Sequence, residues 1–287
     1  MAKDLIIGAF SNYGFDAVKP WIQSINDTGF EGDKVLICIN TSENTQQQIR
    51  DAGFQVVAQP KSSNMMFHME RFYHIYNFLK DNRYRYVITT DVKDVVFQKN
   101  PVEYIDQNIG DKKLMFASES LLYKDEPWGN QNLLETFGPY FHSIFKHNLI
   151  FNVGVLAGRG EDMRDLACMI FNMSINRPIP IVDQAVFNFL INQCPFKDEV
   201  LVARNSLAWA AQLGVTKQAI EAGAGDIGLS VRHNPALLDE YIKLYQDEQP
   251  IIDGATVRTE HNEFCIVHQW DRIPSLKAEI EKKYGNT

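Results

Sequence analysis

The chain has 287 residues, 45% hydrophobic and 22% charged, with a formal net charge of −8. That length can bury a sizeable core, and the composition excludes a disordered or fibrous polymer. The acidic balance excludes a basic nucleic-acid footprint, so no nucleic-acid partner is expected, and local cations or a metal must hold any polyphosphate ligand.

The first apolar run, DLIIGAF (4–10), closes in small and polar residues and predicts a buried strand. Val18, Trp21, Ile22 and Ile25 share one helical face and predict a helix over 16–27. KVLICIN (34–40) is a second strand, a polar helix over 43–52 closes at Gly53, and FQVVAQP (54–60) is a third strand. This β-α-β-α-β pattern with short connections implies a parallel sheet. Met69, Phe72, Tyr73, Tyr76 and Leu79 mark a helix over 66–80. RYVITTD (85–91) is a fourth strand that ends abruptly in charge, and LMFASES (114–120) is a fifth. NLIFNVGVLAG (148–158), punctuated by glycine, reads as a strand with a turn, followed by helices over 160–175 and 182–193. Beyond residue 195 the pattern loosens: VLVAR, a helix near 216–222, SVRHNP, and a helix near 237–247. A late strand, FCIVHQW (264–270), expected to return beside the first sheet and bring His268 to the carboxyl edge of Asp91, and a last helix over 274–284 close the chain. With no repeat or linker, residues 1–287 read as a single α/β domain.

Cys38, Cys168, Cys194 and Cys265 lie far apart among apolar neighbours and read as reduced, buried hydrophobes, not a zinc set. MAKDLIIGAF is too short an apolar stretch for a signal peptide, and nothing downstream approaches ~18 apolar residues. The expectation is a cytoplasmic, soluble chain without an integral membrane segment. A luminal domain trimmed of its anchor stays open, given the sequons at Asn26, Asn40 and Asn172.

Ligands of open α/β sheets bind at the carboxyl ends of the strands. The fourth strand ends there in Thr89-Thr90-Asp91-Val92-Lys93-Asp94. Two carboxylates leaving a buried strand suit Mg²⁺ or Mn²⁺, held together with substrate phosphates. The plain alternative is a capping Asp91 with an exposed Asp94.

YVITTDVKDVVFQKNP resembles the acidic motif of the GT-A-fold, nucleotide-sugar-dependent glycosyltransferases. Four further segments are similar and occur in the order that class uses. Arg71 sits on the helix before the acidic strand. Asn152-Val153-Gly154 resembles the segment lining the donor sugar. Asp183-Gln184 resembles the pair beside the reaction centre, and His268 in VHQWDR resembles the late histidine of the metal site. The resemblance implies a mostly parallel twisted sheet flanked by helices, with residues 1–100 as the nucleotide-binding half and 101–287 as the acceptor-side half. It implies transfer of a sugar from a nucleoside diphosphate donor, UDP-linked, to a hydroxyl of a glycan or small-molecule acceptor. Asp91, Asp94 and His268 would hold Mn²⁺ or Mg²⁺. Asn152, Asp183 and Gln184 would face the reaction centre, with Gly154 beside the donor sugar. Arg71 and Arg272 would face the donor phosphates. The motif series leans toward retention of anomeric configuration.

One departure matters. The class has Asp-x-Asp, whereas Asp91 and Asp94 are three apart, and residues i and i+3 of a strand point to opposite faces. Either the chain turns and delivers both carboxylates to one ion, or Lys93 neutralises the diphosphate and no metal is needed. The turn and the metal are the reading taken forward.

Phe10, Ser11, Asn12 and Tyr13 follow the first strand, where an aromatic can stack on a base and Ser or Asn can bond its edge. Arg71, on a strongly apolar helix, needs an anionic partner. Asp183 has a plain reading as a helix cap. Trp128 falls in a polar loop, where it reads equally as an acceptor-stacking ring or a core anchor, and Gly223–Gly228 matches GxGxxG but follows a helix, so it reads as a cap and loop. The other six histidines, His68 among them, read as surface or packing residues. Two rivals remain. A sugar-nucleotide pyrophosphorylase lacks support, since GAFSNYGFD has no basic phosphate loop. A catalytically inactive glycan- or nucleotide-sugar-binding domain draws support from the Asp91/Asp94 spacing.

Overall fold

Strands β1 (Leu5–Ser11), β2 (Asp33–Ile39) and β3 (Gln55–Gln59) alternate with helices α1 (Phe15–Asp27) and α2 (Glu43–Asp51), as the hydrophobic periods require. The computed structural model describes residues 2–61, 65–175, 177 and 179–285. Helix α3 (Phe67–Asp81) leads into β4 (Tyr86–Thr90), a short β5 (Val95–Phe97) and α4 (Pro101–Asn108). Then follow β6 (Leu114–Leu122), α5 (Pro127–Phe145, broken at Gly138), β7 (Leu149–Arg159), α6 (Gly160–Ser174), α7 (Asp183–Ile191) and β8 (Val200–Ala203). The last part holds β9 (Ala210–Gln212), α8 (Lys217–Glu221), α9 (Gly225–His233), α10 (Leu237–Leu244), the hairpin β10 (Ile251–Asp253) and β11 (Thr256–Arg258), β12 (Ile266–His268) and α11 (Pro274–Tyr284).

Seven strands form one sheet in the order β3-β2-β1-β4-β7-β6-β8. Every neighbouring pair is parallel except those involving β7, which runs against both β4 and β6. Period-two alternation sorts the side chains. Ile6, Leu36 and Ile88 pack on one face with Trp21, Ile22 and Ile49 of α1 and α2. Leu5, Ile7, Val35 and Val87 pack on the other with Phe72, Ile75, Leu166 and Phe187 of α3, α6 and α7. Burial on both faces is why these strands read as unbroken apolar runs.

Three expectations need correction. First, the late strand does not return beside the first sheet. β12 lies between β5 and β9 in a separate three-stranded sheet, antiparallel to β5 and parallel to β9. Second, residues 148–158 contain no turn, because β7 is continuous. Its glycines mark close approach: a Cβ on Gly158 would stand 2.5 Å from the Lys113 carbonyl oxygen. Third, the loop expected across the GxGxxG match is mostly helix. Gly223 (φ +83) ends the turn after α8, and α9 starts at Gly225 and takes in the first four residues of SVRHNP, ending at His233.

Candidate active site

The acidic turn is built by strands leaving in different directions. β4 belongs to the large sheet and β5 to the small one, so the chain must bend across 91–94. Both ends of the bend are pinned by backbone. The Asp91 N–H donates to the Gly154 carbonyl of β7 at 2.8 Å, and the Asp94 carbonyl accepts from the Gln269 N–H at 2.7 Å. Register then places His268 opposite Val95, directly after Asp94. The outcome is a cluster in which one ligand atom each from Asp91, Asp94 and His268 lies within 4.8 Å of the others. His268 Nε2 is 3.5 Å from Asp91 Oδ2 and 3.6 Å from Asp94 Oδ2. The turned geometry, not the extended one, thus describes residues 91–94, and the spacing does not keep the carboxylates apart.

His268 is 2% exposed. Its Nδ1 lies 2.7 Å from Gln212 Oε1, so with Nδ1–H donating there the ring turns Nε2 toward the carboxylates. Burial disfavours its charge, but Asp94 and Asp91 win and push the imidazole up to about 10. Burial would likewise raise the Asp91 carboxyl, yet the Arg71 guanidinium and His268 hold it well below the usual carboxylate range. The cluster is therefore a place that demands positive charge, met by a proton on His268 or by a divalent ion. Two carboxylates and an imidazole oriented by a second partner fit Mn²⁺ or Mg²⁺ completed by phosphate oxygens. Gly154 leaves the room, since a Cβ there would lie 2.4 Å from His268 Cε1 and 2.7 Å from Asp91 Oδ2.

Arg71, on α3, pairs with Asp91 through Nη1 and with Asp183 Oδ2 through Nη2 at 2.8 Å. The Asp183 carboxylate therefore serves Arg71, and it does not cap its own helix, where no side-chain cap bond exists among the described residues. Asn152 is 5% exposed; its Nδ2 donates to Glu119 Oε1 at 2.7 Å and its Oδ1 accepts from the Gly154 N–H at 2.7 Å. Gln184 Nε2 donates to the same Glu119 oxygen at 3.2 Å. Asn188 ties the site's two supports together, bonding the Phe151 N–H and C=O on β7 and the Gln184 carbonyl on α7, each at 2.8 Å.

Two cavities meet at this cluster. One, of about 350 Å³, is lined by Asn152, Asp183, Gln184, Glu119, Glu126, Trp128 and His268 among others. The other, of about 630 Å³, is lined by residues 9–13, Lys61, Lys93 and Asp271 among others. Arg71, Asp91, Asp94, His68 and Arg272 line both. Within the expected base-binding set, Phe10 is 2% exposed and packs in the core, whereas Tyr13 is 43% exposed and carries Lys93 Nζ 5.7 Å above its ring. The ring available for stacking is thus Tyr13. Asn12 (φ 64) and Asn40 (φ 51) both adopt the left-handed region, and Asn40 Nδ2 donates to Asn12 Oδ1 at 2.5 Å.

Sequence reasoning missed Glu119, Glu126 and His68. Glu119 sits in a strand whose first eight residues are buried, so neither neighbour flagged it. Its signal was a carboxylate inside an apolar strand, which must be partnered. Glu126 accepts from the Trp128 and Gly129 N–H groups at the start of α5. Burial, with help from Glu119, pushes its carboxyl up to about 7. Trp128 stands in the first turn of α5, not in a loop.

No protein-family model matches the chain, and no curated protein sequence does. Its shape, however, matches solved structures. The bifunctional glycosyltransferase WbbM, in its apo form, superposes at TM-score 0.60 with 12% identity, covering 100% of this chain and 50% of that one. This chain thus spans half the length of WbbM. The galactosyltransferase LgtC, in complex with donor and acceptor sugar analogues, superposes at TM-score 0.55 with 14% identity, covering 99% and 97% of the two chains. An active-site mutant of LgtC gives TM-score 0.52 at 15% identity, over 92% and 86%. The fold is GT-A-like. Among the described residues, no helix is long and apolar enough to cross a membrane.

Proposed function

We propose that this protein transfers a sugar from a nucleoside diphosphate sugar, UDP-linked, to a hydroxyl of a glycan or small-molecule acceptor. The observation that carries this is the position of the Asp91–Asp94–His268 cluster where the two cavities join. A donor bridging both would place its nucleotide by Tyr13 and its sugar by Asn152, Asp183 and Gln184, with the diphosphate at the junction. Asp91, Asp94 and His268 would hold Mn²⁺ or Mg²⁺, which supplies charge for the diphosphate as it leaves. Lys93 and Arg272 reach the nucleotide cavity and add cationic donors to the same developing charge. Arg71 holds the Asp91 carboxyl well below the usual carboxylate range and ties Asp91 and Asp183 together.

Inversion needs a carboxylate free to take the acceptor's proton. Asp183 is ion-paired to Arg71, Glu119 accepts from two amides, and Glu126 is engaged with the amides of α5. Asp226, at the start of α9, also lines this cavity, so retention is proposed on the resemblance of the motif series and not on every carboxylate being engaged. A thermal-shift panel of nucleotides and nucleotide sugars, with and without Mn²⁺, tests the donor assignment. A true donor at ~100 times its Kd stabilises by about 2.7 kcal/mol. The assignment predicts that this shift depends on Mn²⁺ and is absent in Asp91→Ala; no shift with any member of the panel sinks it.

A further inference from the structure

Glu119 has no place in the donor or metal sets, yet it organises the wall of the smaller cavity. It is 6% exposed on β6, and the side-chain amides of Asn152 and Gln184 converge on its Oε1. That oxygen accepts whether or not Oε2 carries a proton, so both amides must turn their NH₂ groups to it. For Asn152 the far end agrees independently: its Oδ1 meets the Gly154 N–H, which can only donate. For Gln184 the consequence is open-ended. With Nε2 committed to Glu119, its Oε1 is the end left for the cavity, and it accepts no hydrogen bond from the described residues.

We propose that Glu119 is a positioning residue that fixes the polarity of the Gln184 amide, so that a carbonyl oxygen and not an NH₂ group is presented to the donor sugar. This rests on the sugar-transfer reading above. When the bond to the diphosphate breaks, its electron pair leaves with the phosphate oxygen and positive charge grows on the sugar ring. A carbonyl dipole whose oxygen faces that charge stabilises the transition state more than the neutral ground state, whereas the opposite amide orientation opposes it. Glu119 thereby acts on kcat through Gln184 without touching substrate.

The polarity requirement separates two near-isosteric substitutions. Glu119→Gln keeps an acceptor oxygen at the Oε1 position and is expected to retain kcat within a few-fold. Glu119→Met removes the acceptor, releases the Gln184 amide and is expected to lower kcat by at least about tenfold with donor KM little changed. Gln184→Met, which removes the presented oxygen itself, should lose kcat comparably, and the two losses should not add in the double variant. Donor hydrolysis is measured for each beside its melting temperature. An active E119M, a Q184M with unchanged kcat, additive losses, or an E119Q as inactive as E119M overturns the proposal. Should E119M fail to fold, the contrast between E119Q and Q184M decides it by the same criteria. A wild-type protein silent on every nucleoside diphosphate sugar overturns the sugar-transfer reading and this one with it. An active wild type with insensitive variants overturns this one alone.

Discussion

The two cavities that meet at Asp91 differ in charge, although one turn of chain serves both. The larger sets Lys61, Lys93 and the shared Arg71 and Arg272 against Glu70, Asp271 and the shared Asp91 and Asp94, and its exposed aromatic is Tyr13. The smaller adds Glu119, Glu126, Asp183 and Asp226, with the His268 imidazole as its own cationic group among its lining residues. On the proposed reading, the more cationic side takes the polyanion and the acidic side takes the neutral polyol. The junction must reconcile them, and it does so with Arg71 between two carboxylates and His268 between two. The lesson is that a chain of net charge −8 can still gather four cations, Lys61, Lys93, Arg71 and Arg272, around one cavity.

The most damaging way to break this division is to remove its hinge. Arg71→Ala leaves Asp183, 2% exposed, without its ion-pair partner. Removing one member of a buried pair costs about 3–5 kcal/mol, so chemical denaturation should show a loss of that order together with weakened nucleotide binding. Unchanged stability and affinity would mean that Arg71 joins nothing.

The acid-lined side is sharpened by Glu126. Its carboxyl is pushed up to about 7 in the folded chain, above the ordinary glutamate range. The folded state then binds more protons than the unfolded state between about pH 4.5 and 7, so stability falls as pH rises through that window. Glu126→Gln removes this contribution. The variant's melting temperature should decline less than the wild type's between pH 5 and 8, corresponding to a difference of up to about 2–3 kcal/mol. Parallel pH profiles would contradict the raised carboxyl.

The cationic side is probed most gently at Tyr13. Its ring, with Lys93 nearby, is the exposed aromatic at the end of β1. Tyr13→Ala should weaken nucleotide binding by about tenfold, the scale of one base-stacking contact, and leave the fold unaltered. Titration calorimetry measures it, and equal affinities would remove the base from this wall.

Much of the larger cavity was legible because its parts sit at the ends of strongly periodic elements. β1 to β4 follow from apolar runs, and the carboxyl edge then places Tyr13, Asp91 and Lys93 by rule. The smaller cavity was less so. β5 and β9 are three residues each, too short for a period, and without them nothing tells that β12 leaves the large sheet. His268 nevertheless reaches Asp91, because the bend after β4 and the pairing of β5 with β12 carry both to one point. Glu119 and Glu126 stayed hidden because their partners, the Asn152 and Gln184 amides and the first N–H groups of α5, are tertiary or conformational and leave no spacing in the sequence.

The central claim is that Asp91, Asp94 and His268 hold a divalent ion on the diphosphate of a sugar donor. The most direct measurement is donor hydrolysis by the wild-type protein, first stripped with EDTA and then resupplied with Mn²⁺, beside Asp91→Ala and Asp94→Ala. The expected result is turnover lost in EDTA, restored by Mn²⁺, and reduced by at least about a hundredfold in either variant whatever the metal. Full turnover in EDTA would contradict the claim and return the diphosphate to Lys93.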